Sequence, residues 1–376
     1  RNIMVENEKA FLNTQSELSM KGAGYYSKKT IGAKIAIDSL QHLIIDALNN
    51  ISKSKNLRFA DFGSADGGTS QELWYNVISV MRERGDHRPI EIIYTDLASN
   101  DFSTLFKTMQ GMGENVDLAY QKEFENVFVH GCGTGFHDQL VTSGTLSLGF
   151  SATAMHYVSE KPCQILNHVH MVGASDIERS KFKKQALVDW EAILSARAKE
   201  LEPGGRFICI NFGIDENGRY LGNTGGKSMF ESFNRHWKGH LDSGIITEEE
   251  FISATFPQHY RTVEEFSQPF VGNDCLANKI GLKLNRIFTK LTKCPYRQEY
   301  ENNKATITPE EFAKEFIPTT RSWSETVFRS ALKNRTFEET NQIVESFYKN
   351  YENEVANSPS EHSMDYVHIV MEIERI

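Results

Sequence analysis

At 376 residues and 39% hydrophobic content, the chain can hold a nucleotide-binding domain plus an added region and bury a sizeable core, which excludes global disorder. Its net charge of -9 argues against a nucleic-acid backbone as the main partner, because phosphate neutralisation wants a basic surface. No apolar run approaches the roughly 20 residues that span a bilayer, residues 1–9 lack the apolar core of a secretion signal, and the cysteines (Cys132, Cys163, Cys209, Cys275, Cys294) are odd in number without a CxxC pair. No disulfide framework, thiolate metal site or membrane association is expected, and the compartment is read as reducing and cytoplasmic.

The elements alternate. LRFADFG at 57–63 reads as a buried strand, followed by the turn SADGG and a helix TSQELWYNVISVMRER capped by Thr69 or Ser70. RPIEIIYTDL gives a second strand, Ile90 to Thr95, and NDFSTLFKTM a short helix capped by Asn100 or Asp101. ENVFVHG and GTLSLGFSA are the third and fourth strands. ALVDWEAILSARAKEL is an amphipathic helix with Leu187, Trp190, Leu194 and Leu201 on one stripe, and RFICINF is the fifth strand after Pro203-Gly204-Gly205. Alternating strands and helices predict an α/β fold with a mostly parallel, doubly wound sheet. Residues 214–330 carry helix signals and few clean strands, including GKSMFESFNRHWKGHL and a capping box at Thr247 and Glu250. Helical stretches follow at 308–318 and 335–355, and YVHIVMEIERI closes the chain as a last strand. The expected organisation is an N-terminal arm and helix over 1–50, a Rossmann-like domain over 51–213, a helical cap over 214–330, and a helix and strand completing the sheet over 331–376.

The sharpest local feature is Asp61-Phe-Gly63-Ser64-Ala-Asp66-Gly67-Gly68 between a strand and a helix, where glycines let backbone approach a bound nucleotide. The next strand ends in Thr95-Asp96-Leu97, and an acidic residue there can accept both ribose hydroxyls. The turn can be forced into a dinucleotide pattern as Gly63-x-Ala65-x-x-Gly68, but Asp66 would repel a pyrophosphate. A phosphate-free, cationic donor such as S-adenosylmethionine suits the acidic turn better.

Further segments, in order, resemble the SABATH family of plant-type salicylate, jasmonate, indole-acetate and theobromine methyltransferases. They are the N-terminal Met20-Lys21-Gly22-Ala23-Gly24-Tyr25-Tyr26-Ser27, FADFGSADGG, IIYTDLASNDFSTLF, Gly131-Cys-Gly133-Thr-Gly135-Phe136, Ser151-Ala-Thr-Ala-Met155-His156-Tyr157-Val-Ser159-Glu-Lys-Pro162, Leu201-Glu-Pro203-Gly204-Gly205-Arg206, and the cap segments from Gly244 and from Phe256 to Tyr260. The resemblance implies a Rossmann-like methyltransferase sheet with a helical cap, S-adenosylmethionine as methyl donor and S-adenosylhomocysteine as product, a small-molecule acceptor, and a homodimer. It implies that Tyr26, Thr30, Asp61, Gly63, Ser64, Asp66, Asp96, Leu97, Gly135, Phe136 and Ser151 serve the donor, with Leu97 on the adenine and Tyr26 closing over it. Lys21, His156 and Tyr157 stand where the family holds the acceptor carboxylate, as the catalytic set. Phe233 and Trp237 of the cap are candidate acceptor-wall residues, and Phe230, Phe266, Phe270 and Trp323 read equally well as core or roof. The family's carboxylate-binding glutamine aligns with Ala33 and its tryptophan with Tyr157, and the altered cap segment weakens any case for magnesium; no metal is expected.

An ionised carboxylate is already a nucleophile at pH 7, so methyl ester formation needs positioning and desolvation rather than a base. A nitrogen, sulfur or phenolic acceptor would need one, and His156 is the first candidate. The competing functions are therefore a carboxyl methyltransferase, an N-, S- or phenolic O-methyltransferase of a small metabolite, an NAD-dependent oxidoreductase, and a ligand-binding protein without turnover. His168-x-His170 suggests a metal only weakly and reads as a solvated loop. Asn211, ending the fifth strand, is either a ligand contact or a turn former.

Overall fold

The structure is a computed structural model that describes residues 20, 29–51, 56–113 and 115–376. Lys21 and Tyr26 therefore lie outside the described residues, as does the rest of their segment. Helices α1 (Ile31–Asp38) and α2 (Gln41–Leu48) lead into β1 (Leu57–Phe62), α3 (Gln71–Glu83), β2 (Ile90–Asp96), α4 (Phe102–Met109), α5 (Tyr120–Glu123), β3 (Val127–Gly133) and β4 (Leu146–Ala152). The long helix α6 (Asp176–Glu200) and β5 (Leu201–Ile214) complete the alternating half. Then come α7 (Met229–Asp242), α8 (Glu248–Ser253), β6 (Arg261–Thr262), α9 (Val263–Ser267), α10 (Leu276–Ile280), β7 (Leu282–Thr292), α11 (Pro295–Asn302), α12 (Pro309–Ala331), α13 (Phe337–Asn357) and β8 (Tyr366–Arg375).

The sheet runs β3-β2-β1-β4-β5-β8-β7, with the two-residue β6 attached separately to β5. From β3 to β5 every pairing is parallel; β8 runs antiparallel between β5 and β7. β1, β4 and the middle of β5 are buried along nearly their whole length, which is why they read as continuous apolar runs rather than alternations. The strand order reverses at β1/β4, which opens a crevice at their C-terminal ends.

Several expectations shift in detail. Ser70 occupies the N-cap of α3, but its side chain makes no capping bond; its hydroxyl donates to Asp61 instead, at 2.7 Å. α6 starts at Asp176 rather than Ala186, because Ser175 and Glu178 form a capping box ahead of the apolar stripe. The stretch 214–330, expected to be a helical cap, also contains β7, an eleven-residue strand of the main sheet. Its exposed Lys283 and Arg286 and half-buried Lys290 suit a sheet edge and dilute the apolar signal that would have announced a strand. His168 and His170 are buried, not solvated: the His170 ring stacks on Phe230 at 3.9 Å and its Nε2 lies 3.2 Å from Gln258 Oε1. The cap helices α7, α12 and α13 close on their own aromatic core, which leaves a cleft between cap and sheet.

Candidate active site

At the C-terminal ends of β1, β2, β4 and β5, under the cap, lies a cavity of about 230 Å³. Its donor half is built by the turn after β1. Gly63 has φ +73°, and a Cβ there would stand 2.3 Å from Ala154 Cβ, so only glycine lets this turn pass against the loop after β4. The Gly63 and Ser64 amides donate to the Thr95 carbonyl at 2.9 and 3.1 Å, pinning the turn to the end of β2. Asp96 accepts the Ala65 amide on one carboxylate oxygen at 2.7 Å and the Leu97 amide on the other at 2.8 Å. Each oxygen keeps a lone pair for a further donor. Ala65 itself holds φ +49°, a sparsely populated conformation maintained by that bond and by Asn100 Nδ2 on its carbonyl at 2.8 Å. Thr30, Gly63, Ser64, Asp96, Leu97, Gly135 and Phe136 all line the cavity.

Other residues expected at the donor, Asp61, Asp66 and Ser151, do not line the cavity and lie behind its wall. Asp61 is buried beneath the turn, where its Oδ2 accepts Ser70 Oγ at 2.7 Å and Trp74 Nε1 at 3.0 Å. Burial pushes its carboxyl up to about 6 despite those two donors. Asp66 accepts the Gly68 amide at 3.1 Å and shapes the turn. Ser151, fully buried in β4, donates to the Phe62 carbonyl at 2.9 Å and ties β4 to β1. The electrostatics fit a phosphate-free cationic donor: Asp96 and Asp138 line the cavity, Asp61 and Asp66 lie behind it, and no described lining residue is a lysine or arginine. A dinucleotide pyrophosphate would meet carboxylates with no cation among the described lining residues to offset them.

The acceptor half is built by the loop after β4. Thr153 adopts φ +56°, strained for a β-branched residue, and donates its amide to the Ile210 carbonyl at 2.6 Å. The Met155 amide donates to Asn211 Oδ1 at 2.9 Å, which assigns Asn211 to holding this loop rather than a ligand. The His156 carbonyl accepts the His259 amide and the Val158 amide donates to the Pro257 carbonyl, both at 2.9 Å, so residues 257–259 of the cap run as a short antiparallel partner to the loop. Ser159 donates its amide and hydroxyl to Asp189 of α6, at 2.8 and 2.6 Å.

This scaffold presents His156 and Tyr157 side by side, ring centroids 4.7 Å apart, to the cavity. The His156 ring also contacts Phe212 at 5.0 Å and Tyr260 at 5.6 Å. Its Nδ1 is buried with no hydrogen-bond partner among the described residues, and so is the Tyr260 hydroxyl. Burial, with help from Arg261 and His368, holds the His156 imidazole well below its ordinary range; burial likewise drives the Tyr260 phenol well above its own. Both are neutral across the physiological range, with hydrogen-bonding capacity to spend.

Phe233 and Trp237 are corrected as acceptor-wall residues. Both are fully buried inside the cap, Phe233 against Phe328 at 5.7 Å and Trp237 against Phe328 at 5.0 Å and Phe347 at 5.6 Å, because this stripe of α7 faces α12 and α13. The part of the cavity beside His156 and Tyr157 is lined by Ala33, Phe212, Leu221, Gln258, Tyr260, Trp323 and Tyr366. Gln258 and Tyr260 fall within the cap segment from Phe256 to Tyr260 that carries part of the family resemblance, and Trp323 is drawn to the roof side of its two sequence alternatives. Leu221 and Tyr366 had no sequence signal. Among the described residues no cluster of three metal-ligating side chains occurs.

Comparison with known proteins accords with this geometry. A family model described as SAM dependent carboxyl methyltransferase matches residues 16–376. Loganic acid O-methyltransferase of Catharanthus roseus is 22% identical over 274 residues, covering 66% of this chain and 70% of that protein. Gibberellic acid methyltransferase 1 of Arabidopsis thaliana is 24% identical over 278 residues, covering 66% and 72%. A solved structure of a loganic acid methyltransferase with SAH superposes with a TM-score of 0.71 at 18% identity, covering 95% of this chain and 98% of that one, which establishes a shared fold.

Proposed function

The chain belongs to the SAM-dependent carboxyl methyltransferase family, and from that premise we propose that it methylates the carboxylate of a small, largely apolar acid to a methyl ester. When bound, S-adenosylmethionine supplies an electrophilic methyl group on a positively charged sulfur. The residues of this chain bind, orient and desolvate around it. In this reading Asp96 takes the ribose hydroxyls on the lone pairs its backbone partners leave open, and Leu97 with Gly135 and Phe136 takes the adenine. Asp61, behind the turn, offsets the positive charge of the donor's ammonium group. The observation that carries the reading is the acceptor wall: buried neutral groups on His156, Gln258 and Tyr260 and the half-buried Tyr157, set among aromatic rings, with no described cation among them. Neutral donors orient a carboxylate without neutralising it, and the rings strip its water, so its nucleophilicity is preserved. No general base is required. In this proposal Lys21 and Tyr26 of the N-terminal arm also serve the site, residues 51–213 bind the donor, and residues 214–330 cap the acceptor.

A second reading has one observation in its favour. His156 is a neutral imidazole with an unpartnered nitrogen, able to take a proton from a phenol, amine or thiol acceptor. One experiment separates the two. Protein saturated with labelled S-adenosylmethionine is offered carboxylic acids, including loganic, gibberellic and indole-3-acetic acids, alongside amines, thiols and phenols of matching size. Base-labile label confined to the acids establishes the first reading; label on amines, thiols or phenols alone establishes the second. We further propose a reducing, cytoplasmic setting, supported by five free thiols, and a homodimer. No described helix is long and apolar enough to cross a membrane.

A further inference from the structure

A buried guanidinium stands behind the acceptor loop. Arg261 lies in β6, whose register places it against Gly213 at the end of β5; a Cβ on Gly213 would meet the Arg261 carbonyl at 2.6 Å, so glycine allows this close approach. Its side chain is fully buried. Nη1 donates to the Met155 carbonyl at 2.8 Å, and Nη2 donates to the Ala186 carbonyl of α6 at 2.6 Å. The guanidinium thus joins acceptor loop, long helix and cap at one point, one peptide away from His156. Its Nε has no partner among the described residues.

The charge is as telling as the bonds. Among the described residues no carboxylate pairs with Arg261 within 4 Å; the nearest acidic influences are Asp189 and Glu265. Asp189 is fixed by Ser159 and Glu265 by His259 at 2.7 Å and Lys183 at 3.4 Å, so neither carboxylate closes on the guanidinium, and the Arg261 charge still reaches the His156 ring and helps hold it below its ordinary range. A buried cation held by carbonyls and not matched by a contact ion pair projects its field into the adjoining low-dielectric space. That space is the acceptor half of the cavity, whose described wall carries no cation of its own.

We propose that Arg261 is the positioning residue of the acceptor end, fixing the loop that carries His156 and Tyr157 and supplying from behind the wall the positive field that selects an anionic acceptor. The inference rests on the carboxyl-methyl-transfer reading, deepening it with a mechanism of charge selection that acts from behind the described wall.

The test uses the full chain saturated with S-adenosylhomocysteine. Calorimetric titration measures benzoate against its neutral analogue benzamide, probes sized for an aromatic-lined cavity, in the wild type, Arg261→Gln and Arg261→Lys. The wild type should prefer benzoate. Arg261→Gln keeps a donor but loses the charge, and the preference should fall about tenfold at unchanged S-adenosylhomocysteine affinity. Arg261→Lys keeps the charge, and most of the preference should return. Preference retained in Arg261→Gln, or lost equally in both variants, overturns the proposal and leaves Arg261 a scaffold residue. Should Arg261→Gln not fold, Glu265→Gln replaces it: removing that carboxylate should raise the preference for benzoate, and an unchanged or lower preference is the overturning result. A wild type that favours benzamide or binds neither probe instead sinks the carboxylate reading, and this inference with it.

Discussion

Burial raises the Asp61 carboxyl from 3.8 to about 6, so the folded chain holds this proton more tightly than the unfolded chain does and carries the group ionised only above that range. Ionisation therefore destabilises the fold progressively as pH rises from about 3.8 through about 6, by about 3 kcal/mol once complete. Asp61→Asn keeps an acceptor for Ser70 and Trp74 and removes the charge. At pH 7.5 without ligand it should melt higher than the wild type while binding S-adenosylhomocysteine more weakly; calorimetry and thermal melting read both, and an unchanged melting temperature with unchanged affinity would contradict this account. His156 belongs to the other half of the cavity. His156→Ala should lower turnover by roughly a hundredfold while leaving S-adenosylhomocysteine affinity within about twofold; equal turnover would show the ring to be packing alone. Asp96, Gly63 and His156 were legible because their chemistry sits at strand ends, where open sheets place ligands. Ser151 and Asp61 were legible as belonging to the right strands, but not which way each faces. Phe233 and Trp237 misled because an aromatic stripe on a cap helix is equally suited to core and roof, and only the placement of α12 and α13 decides between them.

Among the elements, those driven by local signals were the readable ones. The capping boxes at Thr247, Thr308 and Thr336 each receive the N3 amide on the threonine hydroxyl and return the N3 glutamate to the cap. The box at Thr308 starts α12, the helix that carries Trp323 to the cavity. Thr308→Ala should cost about 1 kcal/mol by chemical denaturation with S-adenosylhomocysteine affinity unchanged, because the cap lies far along the helix from the wall. A loss of affinity matching the loss of stability would mean the cap and the site unfold as one. β7 was not readable, since an edge strand needs few apolar residues and takes its place through its ladder with β8. The same holds for residues 257–262, too short to signal a strand, yet paired to the acceptor loop on one side and to β5 on the other.

Across the whole molecule, the doubly wound sheet followed from alternation alone, whereas the cavity did not, because its wall is drawn from residues as far apart as Met20 and Tyr366. A ligand that spans sheet and cap should hold the two layers together. Saturating S-adenosylhomocysteine at about 100 times its Kd should add about 2.7 kcal/mol to unfolding, read as a concentration-dependent rise in melting temperature; no rise would mean the cleft does not take it. The loop from Thr153 to Ser159 carries the longest-range consequence. Its backbone is bonded to β5, to α6 and to the cap in turn, so an inserted or deleted codon there would break several of those links at once. A change of acceptor choice in this chain is thereby accommodated with least disturbance by side-chain exchange at cavity positions such as Ala33, Leu221 and Trp323, leaving the loop its full length.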